Sequence, residues 1–117
     1  MAHSGDVSVS FEIADEQGFL VIRFAGDIDL YGSPHAREVI LDCLGKSRNT
    51  LVDLADVKYI DSSGVASLVE GYQLAKNKQL RFGLVNVSDA VMSVLQLAHL
   101  DKVFPVYASV AECANSD

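Results

Sequence analysis

The sequence predicts one α/β domain: a mixed, mostly parallel sheet of four to five strands, with about four helices and the first strand antiparallel. Short apolar runs alternate along the chain with segments of helical periodicity, which is the pattern of βαβ units. Only turn residues separate the first two apolar runs, which favours an antiparallel pair. The 117 residues, half of them apolar, suffice for a single hydrophobic core.

The chain is predicted to open with a tail and a β-hairpin. Residues 1–6 show no apolar periodicity and are expected to be flexible. From Val7 to Ile13 apolar and polar side chains alternate, as they do in a strand that is wetted on one face. Turn residues at 15–18 lead into a second apolar run at 19–25, so the two runs are expected to form an antiparallel hairpin.

A first helix is predicted after the hairpin. Ser33 is expected to be its N-cap, with Pro34 at the first helical position, where the N–H that proline lacks would have no partner in any case. Gly45 is expected to end this helix. Between these signals one apolar stripe is expected to face the core: Ala36, Val39, Ile40, Cys43 and Leu44.

The rest of the chain continues the alternation of strands and helices. A buried strand is expected at about 50–54, and a helix is expected from Ser62 to near Lys76. The later elements are expected to be a strand at 80–85, a helix capped by Ser88, a strand at 104–107 and a capping box that begins at Ser109. The predicted domain therefore covers residues 7–113, and residues 114–117 form a C-terminal tail.

Composition narrows the classes of function. The net charge is −7, which repels phosphate backbones and argues against direct nucleic-acid binding. No apolar run approaches the about eighteen residues of a membrane span, and no signal-peptide pattern opens the chain, so a cytoplasmic protein without membrane insertion is predicted. The two cysteines, Cys43 and Cys113, lie far apart in the chain, which suggests neither a disulfide framework nor CxxC chemistry.

Polar residues gather where two predicted strands end. Asp27 and Asp29 follow the second apolar run, and Asp61, Ser62 and Ser63 precede a predicted helix. Because the carboxyl ends of parallel strands meet at one edge of a sheet, both segments are expected at the same place. The last three residues are all favoured N-cap types, and the positive end of a helix tolerates an anion. The sequence thus predicts an exposed hydroxyl that could carry a phosphate.

Three other functions are open to these residues. Asp27 and Asp29 could share a metal, but no histidine or further acid at ligand spacing joins them, so turn formation and capping are favoured and no metal or other cofactor is expected. Ser62 could be a hydrolase nucleophile with His35 as its base, although the chain lacks the Gly-x-Ser-x-Gly elbow. A small ligand could bind at the strand edge, but the sequence names none.

Five segments together carry a resemblance to a known family. They are Gly26-Asp27-Ile28-Asp29, the strand ending at Asp53-Leu54, the loop Asp61-Ser62-Ser63-Gly64, then Val87-Ser88, and last Leu100 to Tyr107. In this order they resemble the STAS domain of bacterial anti-sigma factor antagonists, and the likeness covers about residues 7 to 113. The first and third segments, at the separation expected in that family, are the most specific.

The resemblance implies a non-enzymatic protein in a partner switch. Members of that family bind an anti-sigma factor, which is also a serine kinase, and so free a sigma factor. The kinase uses ATP to phosphorylate the first hydroxyl residue after the Asp, here Ser62. The phosphorylated protein no longer binds, and a phosphatase acting on phospho-Ser62 restores it. Asp29 matches the family's Asp beside the acceptor. The expected partner surface comprises Asp27, Asp29, Asp61, Ser62, Ser63, Gly64 and Ser67.

An alternative within the same fold is a constitutive STAS subunit that supports the ATPase of a transporter, of the lipid-transport type, with Ser62 as a contact. Two departures from the family pattern bear on partner identity. Val65-Ala66 stands where Leu followed by Gly is usual, and Asp27 stands where Glu is commoner. Ala66 adds a methyl group near the acceptor loop.

Overall fold

The computed structural model describes residues 9–116 of the protein. The predicted flexible tail at 1–6, Val7 at the start of the first predicted strand, and Asp117 lie outside the described residues. The elements in chain order are β1 (Val9–Glu16), β2 (Phe19–Ile28), α1 (Ser33–Gly45), β3 (Thr50–Ile60), α2 (Ser62–Asn77), β4 (Phe82–Val85), α3 (Asp89–Leu97), β5 (Val106–Tyr107) and α4 (Val110–Ala114).

The strands form one sheet in the order β1-β2-β3-β4-β5. β1 pairs antiparallel with β2, and the other three pairings are parallel. This arrangement confirms the predicted fold class. None of the helices within residues 9–116 is both long and apolar enough to cross a membrane.

A two-residue turn closes the N-terminal hairpin. Gln17 and Gly18 both have positive φ, 51° and 89°, as the favoured hairpin turn of this length requires at its two central positions. Glu16 pairs directly with Phe19. Asp15 and Glu16, predicted as turn residues, therefore belong to β1, because two residues are enough to reverse the chain.

Helices cover both faces of the sheet, though unequally. The larger core cluster joins α1, α2 and α3 to alternate residues of the strands, such as Ile22 and Phe24 of β2. The smaller cluster joins α4 to the opposite face, through Phe19, Val21 and Leu51. All five residues of the predicted stripe on α1 are buried. Because successive side chains of a strand point to opposite faces, the strand residues between those of the larger cluster line the other face of the sheet.

The third strand is twice as long as predicted. β3 runs over Thr50–Ile60 instead of 50–54, because its second half pairs with the end of β2. The pairing shifts register between Arg23 and Ala25 and again between Gly26 and Asp27, and Gly26 has a positive φ of 100°, as irregular strand positions often need. Because of these shifts, apolar and polar residues do not alternate simply along β3, and that alternation is the signal that predicts a strand.

The helix starts are largely as predicted, with one exception. Asp61 caps α2, Ser88 caps α3 and Ser109 caps α4, each through side-chain contacts with backbone N–H groups. The predicted N-cap role of Ser33 is wrong, since α1 already includes Ser33 and its N-cap is Gly32, which has no side chain to offer. Ser33 N–H instead donates to the Asp29 carbonyl oxygen at 2.7 Å.

Candidate functional site

The ends of β2 and β3 bring the two predicted site segments together. Asp61 N–H donates to the Ile28 carbonyl oxygen at 3.4 Å, across the neighbouring strand ends. Gly64 lies against the same strand: a Cβ there would overlap the Ile28 carbonyl oxygen and lie 2.6 Å from Ile60 Cγ1. Only a residue without a side chain lets the start of α2 approach the sheet this closely. The predicted convergence at one sheet edge is confirmed.

The Asp61 carboxylate organises the start of α2. Its Oδ1 accepts hydrogen bonds from Ser63 N–H at 2.9 Å, Gly64 N–H at 3.2 Å and the Ser63 hydroxyl at 2.5 Å. The Ser63 hydroxyl lowers the pKa of Asp61 most, and the backbone N–H groups of Gly64, Ser63 and Leu30 lower it further, against a smaller opposing effect of burial. Asp61 is therefore held as the carboxylate.

The two serines that follow Asp61 have different surroundings. Ser62, the first residue of α2, is exposed, whereas Ser63 is half-buried with its hydroxyl on Asp61. The prediction of an accessible hydroxyl at this helix start is thus met at Ser62. Asp61 already accepts from the N–H groups of Ser63 and Gly64, so its carboxylate is the anion that occupies the positive end of this helix.

Asp27 and Asp29 occupy different settings on the neighbouring segment. Asp29 Oδ1 accepts from Tyr31 N–H at 3.0 Å and Gly32 N–H at 2.8 Å, which turns the chain into α1. Asp27 lies inside β2, where it pairs in register with Tyr59 of β3. Across residues 9–116, no group of three or more His, Cys, Asp or Glu side chains is arranged to hold a metal ion.

Ser67 belongs beneath the surface, not on it. Only 5% of the residue is exposed, and its hydroxyl lies 3.2 Å from both the Ser33 and Ser63 carbonyl oxygens. It therefore joins α1 to the first turn of α2. The prediction that Ser67 lies on the exposed side of the helix is wrong, because Ser67 is on the face of α2 that packs on α1. Gly64 is buried as well, so its contribution is to bring the helix close to the sheet.

Three exposed apolar side chains near this edge escaped the sequence analysis. Leu30 is 64% exposed, Tyr31 72% and Tyr59 52%. Leu30 and Tyr31 follow Asp29 directly, and Tyr59 precedes Asp61 by two residues. The sequence signal that could have identified them is the presence of large apolar side chains next to polar loop residues, since exposed aromatic residues are common in binding surfaces.

A cleft of about 250 Å³ between α1 and α2 runs beside the serines, bordered by Ser63 and Ala66. Arg37 of α1 donates to both carboxylate oxygens of Glu70 on α2, at 2.7 and 2.6 Å. This pair raises the pKa of Arg37 and lowers the pKa of Glu70. The two helices are therefore tied together on the solvent side as well as through Ser67.

His35, the base of the alternative hydrolase arrangement, is engaged elsewhere. Its ring lies against Phe11 of β1, with ring centroids 5.3 Å apart and planes tilted by 58°. None of the hydrogen bonds within residues 9–116 joins His35 to Ser62. The geometry gives no support to a serine–histidine pair.

Residues 10–113 match the STAS domain family. The anti-sigma-B factor antagonist of Bacillus subtilis is 22% identical over 102 residues, which cover 87% of this chain and 94% of that protein. The anti-sigma-F factor antagonist RsfB of Mycobacterium tuberculosis is 26% identical over 104 residues, covering 88% and 84%. The solved anti-sigma-factor antagonist (STAS) domain protein of Planctomyces limnophilus is 27% identical, with a TM-score of 0.79 and coverage of 89% and 94%. This chain belongs to the STAS domain family.

Proposed function

We propose that this protein is an anti-sigma factor antagonist whose binding is switched off by phosphorylation of Ser62. Its partner is an anti-sigma factor that is also a serine kinase, and a phosphatase acting on phospho-Ser62 resets the switch. The exposure of Ser62 at the head of α2, beside a carboxylate fixed as the anion, is the observation that carries this proposal. The names of the relatives in Bacillus subtilis and Mycobacterium tuberculosis support the class of partner.

The protein itself supplies only the acceptor. In the transfer, the Ser62 oxygen forms a bond to the γ-phosphorus of ATP, the bond from that phosphorus to the bridging oxygen breaks, and ADP leaves. The hydroxyl proton passes to a base of the kinase. The protein is therefore a substrate and a binding module, not an enzyme.

A phosphate on Ser62 would act at the surface. It adds about 1.5 to 2 negative charges and strong acceptor oxygens. The Asp61 carboxylate already binds the N–H groups of Ser63 and Gly64, so the phosphate would face solvent or the partner. A bound partner would have to accommodate it next to the Asp61 anion. A hundredfold loss of affinity needs only about 2.7 kcal/mol, well within the range of a buried like-charge contact.

The partner surface is defined by what is exposed around Ser62. Leu30, Tyr31 and Tyr59 supply apolar area, and the carboxylates of Asp29 and Asp61 lie beside it. Interfaces commonly combine a central aromatic or aliphatic anchor with a polar rim. With a net charge of −7 on this chain, the matching face of the anti-sigma factor is expected to be apolar at its centre and basic at its rim.

Phosphate mapping tests the proposal. The purified protein is incubated with its anti-sigma factor kinase and ATP, and the modified residue is located by mass spectrometry. Phosphate is expected on Ser62 in the wild type and nowhere in Ser62→Ala. Calorimetric titration of the anti-sigma factor is expected to give a dissociation constant about a hundredfold higher for the phosphorylated protein.

The variant Ser62→Glu tests whether a negative charge at this position weakens binding, separately from whether the kinase phosphorylates Ser62. It carries one negative charge where phosphoserine carries more, so its affinity is expected to fall by less than that of the phosphorylated protein but by at least about tenfold. Lys78→Glu at the far end of α2 is the matched control, because it changes the net charge further without touching this edge. Equal affinities for wild type and Ser62→Glu would contradict the switch.

A further inference from the structure

The adjacent hydroxyls of Ser62 and Ser63 pose a problem of choice for a kinase. Both follow Asp61 and both lie in the first turn of α2. The structure distinguishes them by burial and by one side-chain contact, the 2.5 Å hydrogen bond from the Ser63 hydroxyl to Asp61 Oδ1. A kinase that phosphorylates only one of these serines must therefore distinguish two hydroxyl groups on adjacent residues of the same helical turn.

We propose that Asp61 selects the acceptor: its carboxylate binds and shields the Ser63 hydroxyl, so that only the Ser62 hydroxyl is available for phosphoryl transfer. This inference rests on the proposed function and adds to it a residue that determines specificity. Asp61 is a positioning residue here, because it acts through Ser63 and touches neither ATP nor the transferred group.

Three physical effects make Ser63 a poor acceptor. The proton that the kinase must remove is held by Asp61, and the Ser63 oxygen lies within hydrogen-bond distance of a fixed negative charge. An incoming triphosphate would have to approach that carboxylate against like-charge repulsion. Ser63 is also half-buried, while Ser62 is exposed.

The opposite role for Asp61, as a base that activates Ser63, fits the geometry less well. A general base works best when its pKa lies near the working pH, but three donors within the first turn of α2 hold this carboxylate as the anion. Its affinity for a proton is accordingly low. The two roles predict different products, since activation would place phosphate on Ser63 of the wild type.

The test removes the preferred acceptor, Ser62, and then the Asp61 carboxylate that binds the Ser63 hydroxyl. Ser62→Ala is expected to take no phosphate from the anti-sigma factor kinase and ATP. The double variant Asp61→Ala/Ser62→Ala is expected to regain phosphate, now on Ser63, at least tenfold above the background incorporation measured with Ser62→Ala. The matched control is Asp61→Asn/Ser62→Ala, which keeps an oxygen acceptor for the Ser63 hydroxyl but removes the negative charge, and it is expected to take phosphate on Ser63 at a rate between those of the other two variants.

The outcomes separate this inference from the proposed function. Suppose that the wild type is labelled on Ser62 but the Asp61→Ala/Ser62→Ala protein, shown by circular dichroism to be folded, takes no phosphate. This result would overturn the selection by Asp61 and leave the proposed function intact. Phosphate on Ser63 of the wild type would overturn it too. A wild type that takes no phosphate would overturn the proposed function, and this inference with it.

A second measurement does not depend on the kinase or on removing the cap. The Asp61 carboxyl group is titrated by NMR in the wild type and in Ser63→Ala. Because the Ser63 hydroxyl makes the largest contribution to the lowered pKa of Asp61, the pKa is expected to rise in the variant. An unchanged pKa would mean that the shielding hydrogen bond is absent in solution, and would overturn the inference.

Discussion

Replacement of Gly64 by alanine tests how the site is held against the sheet. The new methyl group would overlap the Ile28 carbonyl oxygen and lie 2.6 Å from Ile60 Cγ1 and 2.9 Å from Ile28 Cγ2. Carbon atoms in van der Waals contact are about 3.5 to 4.0 Å apart, so α2 would have to move by about 1 Å. A backbone carbonyl of a central strand cannot rotate away as a flexible side chain could.

The magnitude follows from two opposing effects. Overpacking a well-packed site costs typically about 1 to 3 kcal/mol, and the clash with a strand carbonyl places this site at the upper end. Alanine in a helix gains about 1 kcal/mol over glycine. The free energy of unfolding is therefore expected to fall by about 2 kcal/mol, and the melting temperature by about 8 °C at roughly 4 °C per kcal/mol for a domain of this size.

Urea and thermal unfolding followed by circular dichroism measure this change. Gly45→Ala is the matched control, because a Cβ at the end of α1 meets no atom within 4 Å, and this variant is expected to be as stable as the wild type or slightly more stable. Should Gly64→Ala unfold at the wild-type temperature, the close approach of α2 to Ile28 could not be what requires glycine.

Two further predictions concern the same sheet edge. Tyr31→Ala is expected to weaken binding of the anti-sigma factor by tenfold or more, in the range of an aromatic hot spot. The melting temperature is expected to stay the same, since Tyr31 is 72% exposed. An unchanged dissociation constant would exclude Tyr31 from the interface. Asp61 has a lowered pKa when folded, so the stability it contributes is present above the unfolded-state pKa near about 3.9 and is lost as the pH falls through the folded value. Urea unfolding between pH 7 and pH 2 is expected to show the advantage of wild type over Asp61→Asn shrinking below about pH 4, and a constant difference would contradict this.

The local elements of the fold were predictable because their signals are local. The stripe on α1 and the capping serines Ser88 and Ser109 depend on neighbours within one or two turns of helix, and all lie where the sequence places them. The N-cap of α1 was missed because Asp29, three residues ahead of Gly32, turns the chain with its own carboxylate. That leaves Ser33 free to enter the helix.

Features that depend on distant pairing were not predictable. β3 was expected to end near residue 54 because the register shifts opposite β2 break its apolar alternation. Ser67 was expected on the partner surface, yet it is buried because α1 packs over it. The exposed positions of Leu30, Tyr31 and Tyr59 likewise depend on where two loops meet.

The sequence by itself determined the order of strands and helices, the faces that form the core, and the location of a hydroxyl segment at the start of a helix on the carboxyl edge of the sheet. These follow from periodicity and capping, which act between near neighbours in the chain. Only the tertiary structure decided that Ser62 faces solvent and that Ser67 lies under α1, whereas the hydrogen bond between Ser63 and Asp61 joins residues two positions apart in the chain. Ser62 and Ser67 differ in the elements packed around them, and that packing brings together residues some thirty positions apart.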